Sequence, residues 1–263
     1  MNFGHLWSSA VTQELGTSDS TKLFTDARRQ QAVNNGFLAF VDLTECAQRQ
    51  STIASSHGVR EYNLMSTVNV PGGDFLRLSK QAPEYQFEDS NGAVQYVTGD
   101  DFPRRDVNWL NTYEPGWRTS TGGTPSAYYL RPDGGAHYFG FNTPPNLGSS
   151  ELGRVLLPYL ARPAVMTAST DVPFTFGGAA RTDLEPYHQG AAHYAAYELE
   201  KLRVNEAAAQ TQWQLFMGYV ERYLRSNRPR GGQQVRTGRS YFSEARARRH
   251  GVSDGPISDP WGS

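Results

Sequence analysis

The side chains best suited by type and spacing to chemistry are Glu185 and His188, which fit the E-x-x-H spacing of di-iron helical bundles. Such a centre needs a second E-x-x-H and further carboxylates on facing helices, and the chain carries no second copy. The pair therefore reads as a carboxylate at a helix N-terminus and a surface histidine. His193 lies five residues after His188, not the four that would stack two imidazoles on one helical face for zinc. Asp100 and Asp101 resemble a catalytic carboxylate pair, but between Gly99 and Phe102-Pro103 they read as a solvated turn. P-loop, G-x-G-x-x-G and G-x-S-x-G strings are lacking, so phosphate cradles and a nucleophile elbow have no support. A single cysteine, Cys46, excludes an intrachain disulfide and a cysteine-rich zinc site and reads as a small buried hydrophobe. We expect no catalytic residue, no metal and no cofactor. An unfamiliar enzyme with its site in the β-rich part is the alternative.

What remains is chemistry of contact. Between Trp109 and Asn146, 38 positions hold eight aromatic residues, six glycines and five prolines. Large rings among chain-breaking residues describe a strand-and-turn module whose aromatic faces need cover. Trp109, Trp117, Tyr128, Tyr129 and Tyr138 are the packing candidates, within the module or between subunits. A second contact surface is the C-terminal tail. Asn227 to Ser263 holds seven arginines, no lysine and three acids, a charge of +4 that leaves −5 for residues 1 to 226. Arginine and aromatic residues are enriched at interface hot spots, and +4 over this length is modest for DNA affinity. Arg239, Tyr241, Phe242, Arg246, Arg248, Arg249 and Trp261 thus read as a protein-docking arm in preference to a nucleic-acid-binding one.

The elements that must position these residues follow from period and punctuation. Phe3 to Leu15 reads as a short helix with Gly16 at its C-terminus. Thr25 can cap a helix from Asp26, in which Val33, Phe37, Phe40, Val41 and Thr44 share one face. Asn34, Asn35 and Gly36 weaken its propensity, so packing must hold it. From Tyr62 the period changes, and Leu64 to Val70, Val94 to Thr98, Ala127 to Arg131 and Ala136 to Phe141 read as short strands. Pro132-Asp133-Gly134-Gly135 should join the last two as a hairpin. Gly153 to Val165, with two prolines, reads as an edge strand. Helical order returns with Asp183 as N-cap. Run unbroken to Arg225 it would extend roughly 64 Å, so a break near Asn205 is expected. Beyond it Ala209, Trp213, Phe216, Met217, Val220 and Leu224 form an apolar stripe. Phe37, Tyr187, Tyr194, Trp213 and Phe216 are the residues expected to pack the helices together.

The fold class read from this pattern is α+β. N- and C-terminal helices (1–61 and 182–226) form a bundle, an antiparallel β-rich module (62–181) is inserted, and an extended basic arm (227–263) follows. No apolar run approaches a membrane span, and Met1 to Gly16 lacks the basic start and apolar core of a secretory signal. We therefore expect a soluble protein made inside the cell.

Three strings in this order resemble the head-to-tail adaptor, or connector, proteins of tailed bacteriophages, in particular podovirus-type adaptors. They are Phe24-Thr-Asp-Ala-Arg-Arg-Gln-Gln-Ala-Val-Asn-Asn-Gly-Phe-Leu38, then Trp109-Leu to Pro115-Gly-Trp-Arg118 with Pro125 to Tyr129 and Asp133-Gly134, and finally Leu184-Glu-Pro-Tyr-His188 leading through Tyr194 to Ala208 and Trp213-Gln-Leu-Phe216. Gly36 departs from the family's frequent alanine. The resemblance implies a homo-oligomeric ring, twelvefold, beneath the portal protein, with a tail or nozzle protein on its far side. Double-stranded DNA would pass through the ring without sequence-specific binding. It also implies a virion protein of the phage neck, made in the host bacterial cytoplasm, with its arm on the portal or a neighbouring adaptor. The alternatives are a stopper or tail-completion protein and, further off, a nucleic-acid-binding module.

Overall fold

The computed structural model describes residues 2–15, 24–88, 91–148 and 152–227. The first helix, α1, is built of Phe3–His5, a π turn Leu6–Ala10 and Val11–Glu14. The second, α2 (Asp26–Thr44), starts as its sequence dictates, with the Thr25 hydroxyl accepting from the Arg28 N–H. Its weak middle is held by contacts from outside the helix. The Asn34 amide bonds both the carbonyl and the N–H of Met166, each at 3.0 Å, and Asn35 donates to the Glu198 carboxylate at 3.0 Å. Gly36 is where the backbones come closest, since a Cβ there would lie 2.7 Å from the Ala191 carbonyl oxygen. The departure at this position tightens the packing of α2 where an alanine would obstruct it.

Eight strands follow in two main sheets. A five-stranded antiparallel sheet runs β1 (Gln48–Ser55), β8 (Gly153–Ala161), β4 (Glu84–Glu88), β5 (Val94–Val97), with β3 (Phe75–Leu78) also on β8. A three-stranded sheet runs β2 (Glu61–Asn63), β7 (Ala136–Phe141), β6 (Tyr128–Asp133). The β6–β7 hairpin turns as expected at Gly134 and Gly135, with φ of 57° and 89°.

The expected edge strand is instead the centre of the larger sheet. Pro158 is tolerated because its carbonyl accepts from the Ser79 N–H at 3.1 Å, and its missing N–H faces that same side, between the end of β3 and the start of β4. Leu64 to Val70 is not a strand. Asn63 Oδ1 accepts from the Met65 N–H at 2.8 Å and Asn69 donates to the Asn63 carbonyl at 2.9 Å, local bonds that turn the chain while Leu64 and Val70 stay buried. A short helix, α3 (Val107–Tyr113), also interrupts the strand-and-turn stretch, capped by Asp106, which accepts from the Trp109 N–H at 2.6 Å.

After a small ribbon of β9 (Thr175–Phe176) and β10 (Ala179–Ala180), the chain re-enters helix through a 3₁₀ segment, Thr182–Tyr187. Asp183 does not cap it; its carboxylate forms a two-pronged pair with Arg181 at 2.6 and 2.7 Å. Helices α4 (His188–Leu202) and α5 (Glu206–Ser226) then form an antiparallel hairpin broken where expected, and α4 packs on both α5 and α2. One hydrophobic cluster joins residues of α1, α2, α4 and α5 to those of the larger sheet. The mixed helical and antiparallel-sheet class read from the sequence is thus present.

Candidate interaction surface

The aromatic stretch is organised around Tyr129, which is fully buried on β6. Its hydroxyl donates to Glu61 Oε1 at 2.8 Å, and the Trp117 indole meets its ring edge-on at 5.2 Å. Burial and the neighbouring carboxylate both push the Tyr129 phenol well above its ordinary range, so it is a donor here and no base. Trp117 is clasped from outside by two guanidinium groups, Arg60 at 5.2 Å and Arg118 at 4.9 Å from the ring centre. Arg60 also donates to the Trp117 and Ser120 carbonyls. Tyr128 is buried and stacks on Phe139 at 5.4 Å.

The other two candidates face outward. Trp109 on α3 is half-buried beneath the Arg105 guanidinium at 4.3 Å and touches Tyr113, itself 68% exposed. Tyr138 is half-buried beneath Arg131, whose guanidinium pairs with Glu61 at 2.9 Å and Asp133 at 2.8 Å. Trp117, Tyr128 and Tyr129 therefore lie inside the chain, while Trp109 and Tyr138 present guanidinium-capped rings at its surface.

On the helices, Phe37 meets Phe174 edge-on at 4.7 Å, and Tyr187 packs between Phe40 and Tyr223. Tyr194, Trp213 and Phe216 form a second ring cluster between α4 and α5, with Phe216 fully buried and the other two half-buried. Glu185 and His188 do not form a site. Glu185 is exposed, whereas His188 is not the expected surface residue but is buried among Phe37 and Phe174. The 3₁₀ entry turns it inward. His193 is also buried, with Nδ1 2.8 Å from Gln212 Oε1 and 3.3 Å from Glu14 Oε2, which ties α1 to the helical hairpin. Asp100 and Asp101 occupy an exposed 3₁₀ turn. Cys46 is buried in the turn between α2 and β1, and burial pushes its thiol up. Among the described residues no group of three or more His, Cys, Asp or Glu side chains can hold a metal ion. No described helix is long and apolar enough to cross a membrane. The arm residues Arg239, Tyr241, Phe242, Arg246, Arg248, Arg249 and Trp261 lie outside the described residues.

A further surface was not anticipated. Between α2, α4 and β3 runs a groove of about 470 Å³ lined by the apolar Leu38, Ala39 and Leu76 and the charged Asp42, Arg77 and Glu198. Burial raises the Glu198 carboxyl despite hydrogen bonds from Asn35 and Tyr194. In sequence this surface is signalled only by Asn35, a polar residue in the middle of α2.

Residues 1–240 match the family described as SU10 adaptor protein. The chain belongs to this family. Membership agrees with the phage structural adaptor expected from the three sequence strings, and an SU10-type adaptor is a virion component. No curated protein matches the chain.

Proposed function

We propose that the protein is a head-to-tail adaptor that joins portal to tail as a homo-oligomeric ring, without catalysis, and borders the path by which the genome leaves the virion. The observation that carries this reading is the family match across residues 1–240. The physics of the chain is compatible with it. A contact between two different patches of one subunit repeats around an axis and closes into a ring. The charge of −5 on residues 1–226 suits a wall past which DNA moves, because sustained cationic contacts to phosphate would retard it. The resemblance extends the proposal to a twelvefold ring beneath the portal, a tail or nozzle protein below, and the basic arm on the portal or on a neighbouring adaptor.

The test uses purified portal and full-length chain. A shared complex by light scattering, lost when residues 227–263 are removed while the far-ultraviolet circular dichroism of the body is unchanged, is the expected result. If the two proteins stay separate and the chain alone retards duplex DNA at about 150 mM salt, the adaptor reading fails and a nucleic-acid-binding module takes its place. A ring that binds tail components but not portal would favour a stopper or tail-completion role.

A further inference from the structure

The outward face of α5 carries no charge along most of its length. Ala207, Gln210, Thr211, Gln214, Leu215 and Gly218 are all exposed, yet no Asp, Glu, Lys or Arg occurs between Glu206 and Glu221. Charged side chains ordinarily cover the solvent side of such a helix, whereas the centre of a protein interface is depleted of them. Gly218 lies two residues from the buried Phe216 and two from the buried Val220, hence on the opposite side of the helix. A Cβ added at Gly4, Gly36 or Gly190 would lie 2.7, 2.7 or 3.1 Å from Ser169, Ala191 or Tyr219, so each of those helical glycines admits a neighbour from within the chain. At Gly218 nothing lies within 4 Å. A glycine in the middle of a helix costs stability, and here no contact within the chain offsets the cost. It leaves room for a neighbour from outside.

We propose that this face of α5 docks along α2 of a second copy of the chain, in a trough walled by α4 on one side and residues 162–167 on the other. The inference rests on the ring reading above and names the contact that builds the ring. Cavities of about 550, 320 and 470 Å³ follow the outward side of α2, and Asn35 lines all three. Between Arg28 and Asp42 that side presents Gln31, Asn35, Leu38 and Ala39, as uncharged as the face it would meet. None of the three cavities is lined by a residue of α5, so the two patches are distinct and their contact is heterologous, as a ring requires. Charge sets the direction of docking. Near the start of α2 the trough is lined by Arg28 and Lys201 with one carboxylate, Glu198; near its end, by Asp42 and Glu198 with one cation, Arg77. The trough is therefore positive at one end and negative at the other even after pairs within the chain are counted. Helix α5 spans about 24 Å from Glu206 to Arg222, and α2 about 21 Å from Arg28 to Asp42. Laid parallel, one copy's Glu206 meets the other's Arg28 while Arg222 meets Asp42. Glu206, Arg222 and Arg28 are all exposed and have no ion-pair partner among the described residues.

The test begins with Gly218→Glu in the full-length chain. Glutamate favours the helix over glycine and has Arg222 one turn on, so the substitution should raise the Tm by about 2–4 °C. It also sets a bulky charge in the middle of the uncharged contact, and self-association by native mass spectrometry, with and without portal, should weaken at least tenfold. A Tm that fell together with assembly would mean that Gly218 serves its own helix, and would overturn the inference. The second arm exploits charge. Glu206→Lys and Arg28→Glu should each weaken assembly about two- to fivefold at low salt, and the double variant should recover it, because the swapped charges attract again. A double variant no better than the singles would overturn the parallel docking of α5 on α2. Gly218→Glu rings of wild-type affinity would overturn the α5 contact and leave the ring reading standing. A wild-type chain that remains monomeric with and without portal would overturn both.

Discussion

In the helical layer, Phe37, Phe40 and Phe216 are fully buried and meet other rings largely edge-on, Phe37 with Phe174, Phe40 with Tyr223 and Phe216 with Tyr194. In the hairpin module of α3, β6 and β7, the rings of Trp109, Trp117 and Tyr138 lie instead beneath the guanidinium groups of Arg105, Arg60, Arg118 and Arg131. Both regions are rich in aromatic residues, and composition alone does not separate them. The difference lies in what covers each ring. An interior ring covered by other rings is part of a close-packed solid. A ring covered by arginine keeps a charged, hydrated face that neighbouring molecules can use.

The sharpest way to break this comparison is to remove one ring from each region. Phe37→Ala should lower stability by about 4 kcal/mol in urea denaturation, because the surrounding Phe174 and His188 cannot collapse into the gap. Trp117→Ala should cost less, about 2 kcal/mol. Its small cluster with Leu110 and Tyr129 is separate from the main core, and the stems of Arg60 and Arg118 can fold inward. Equal losses would mean that the module is core after all. A smaller probe addresses the helical layer alone. Gly36→Ala places a methyl group 2.7 Å from the Ala191 carbonyl oxygen and 2.9 Å from its Cα, and backbone atoms cannot swing aside as a side chain would. About 2 kcal/mol should be lost, where a surface Gly→Ala in a helix would ordinarily gain about 1 kcal/mol.

The parts of this molecule that were legible in sequence are those fixed by local chemistry. The Thr25 cap and the Gly134-Gly135 turn each declare themselves within a few residues, and the break near Asn205 follows from the length an unbroken helix would have. The central strand β8 does not, because its partner β1 lies about a hundred residues earlier, from Gln48↔Leu160 to Ser55↔Gly153, and turns Ser51 and Ser55 inward beside Ile53. Small polar residues at buried positions leave no hydrophobic alternation to read. The prolines of β8 argued for an edge because sequence cannot show that Pro158 falls where one neighbouring strand has ended and the next has not begun. The candidate surface was legible in the same uneven way. The rings of the module were visible as a composition, but their guanidinium covers come from Arg60 and Arg105, outside the stretch, as well as from Arg118 and Arg131 within it.

The finest distinction between the two regions is electrostatic. Burial pushes the Glu61 carboxyl up, but hydrogen bonds from Arg131 and Tyr129 outweigh it and hold the group below its ordinary range. In the helical layer, burial dominates at Glu198 and raises it. The two shifts bear oppositely on stability. Glu61 contributes stability that is present above its unfolded value of about 4.3 and is lost as pH falls through the lower folded value. Glu198 contributes stability that is complete below about 4.3 and is lost as pH rises through its higher folded value. Relative to wild type, Glu61→Gln should therefore lose stability as pH rises toward about 4.3, whereas Glu198→Gln should gain stability as pH rises above it. Each effect should stay below about 1 kcal/mol, because both groups are partly exposed and screened. Denaturant midpoints at closely spaced pH values between about 3 and 6 resolve the signs, with both unfolded carboxylates near about 4.3 as the reference. Shifts of the same sign would place both carboxylates in one kind of environment and remove the electrostatic part of the comparison. Opposite signs would mean that arginine governs the surface of the module while desolvation governs the groove of the helical layer.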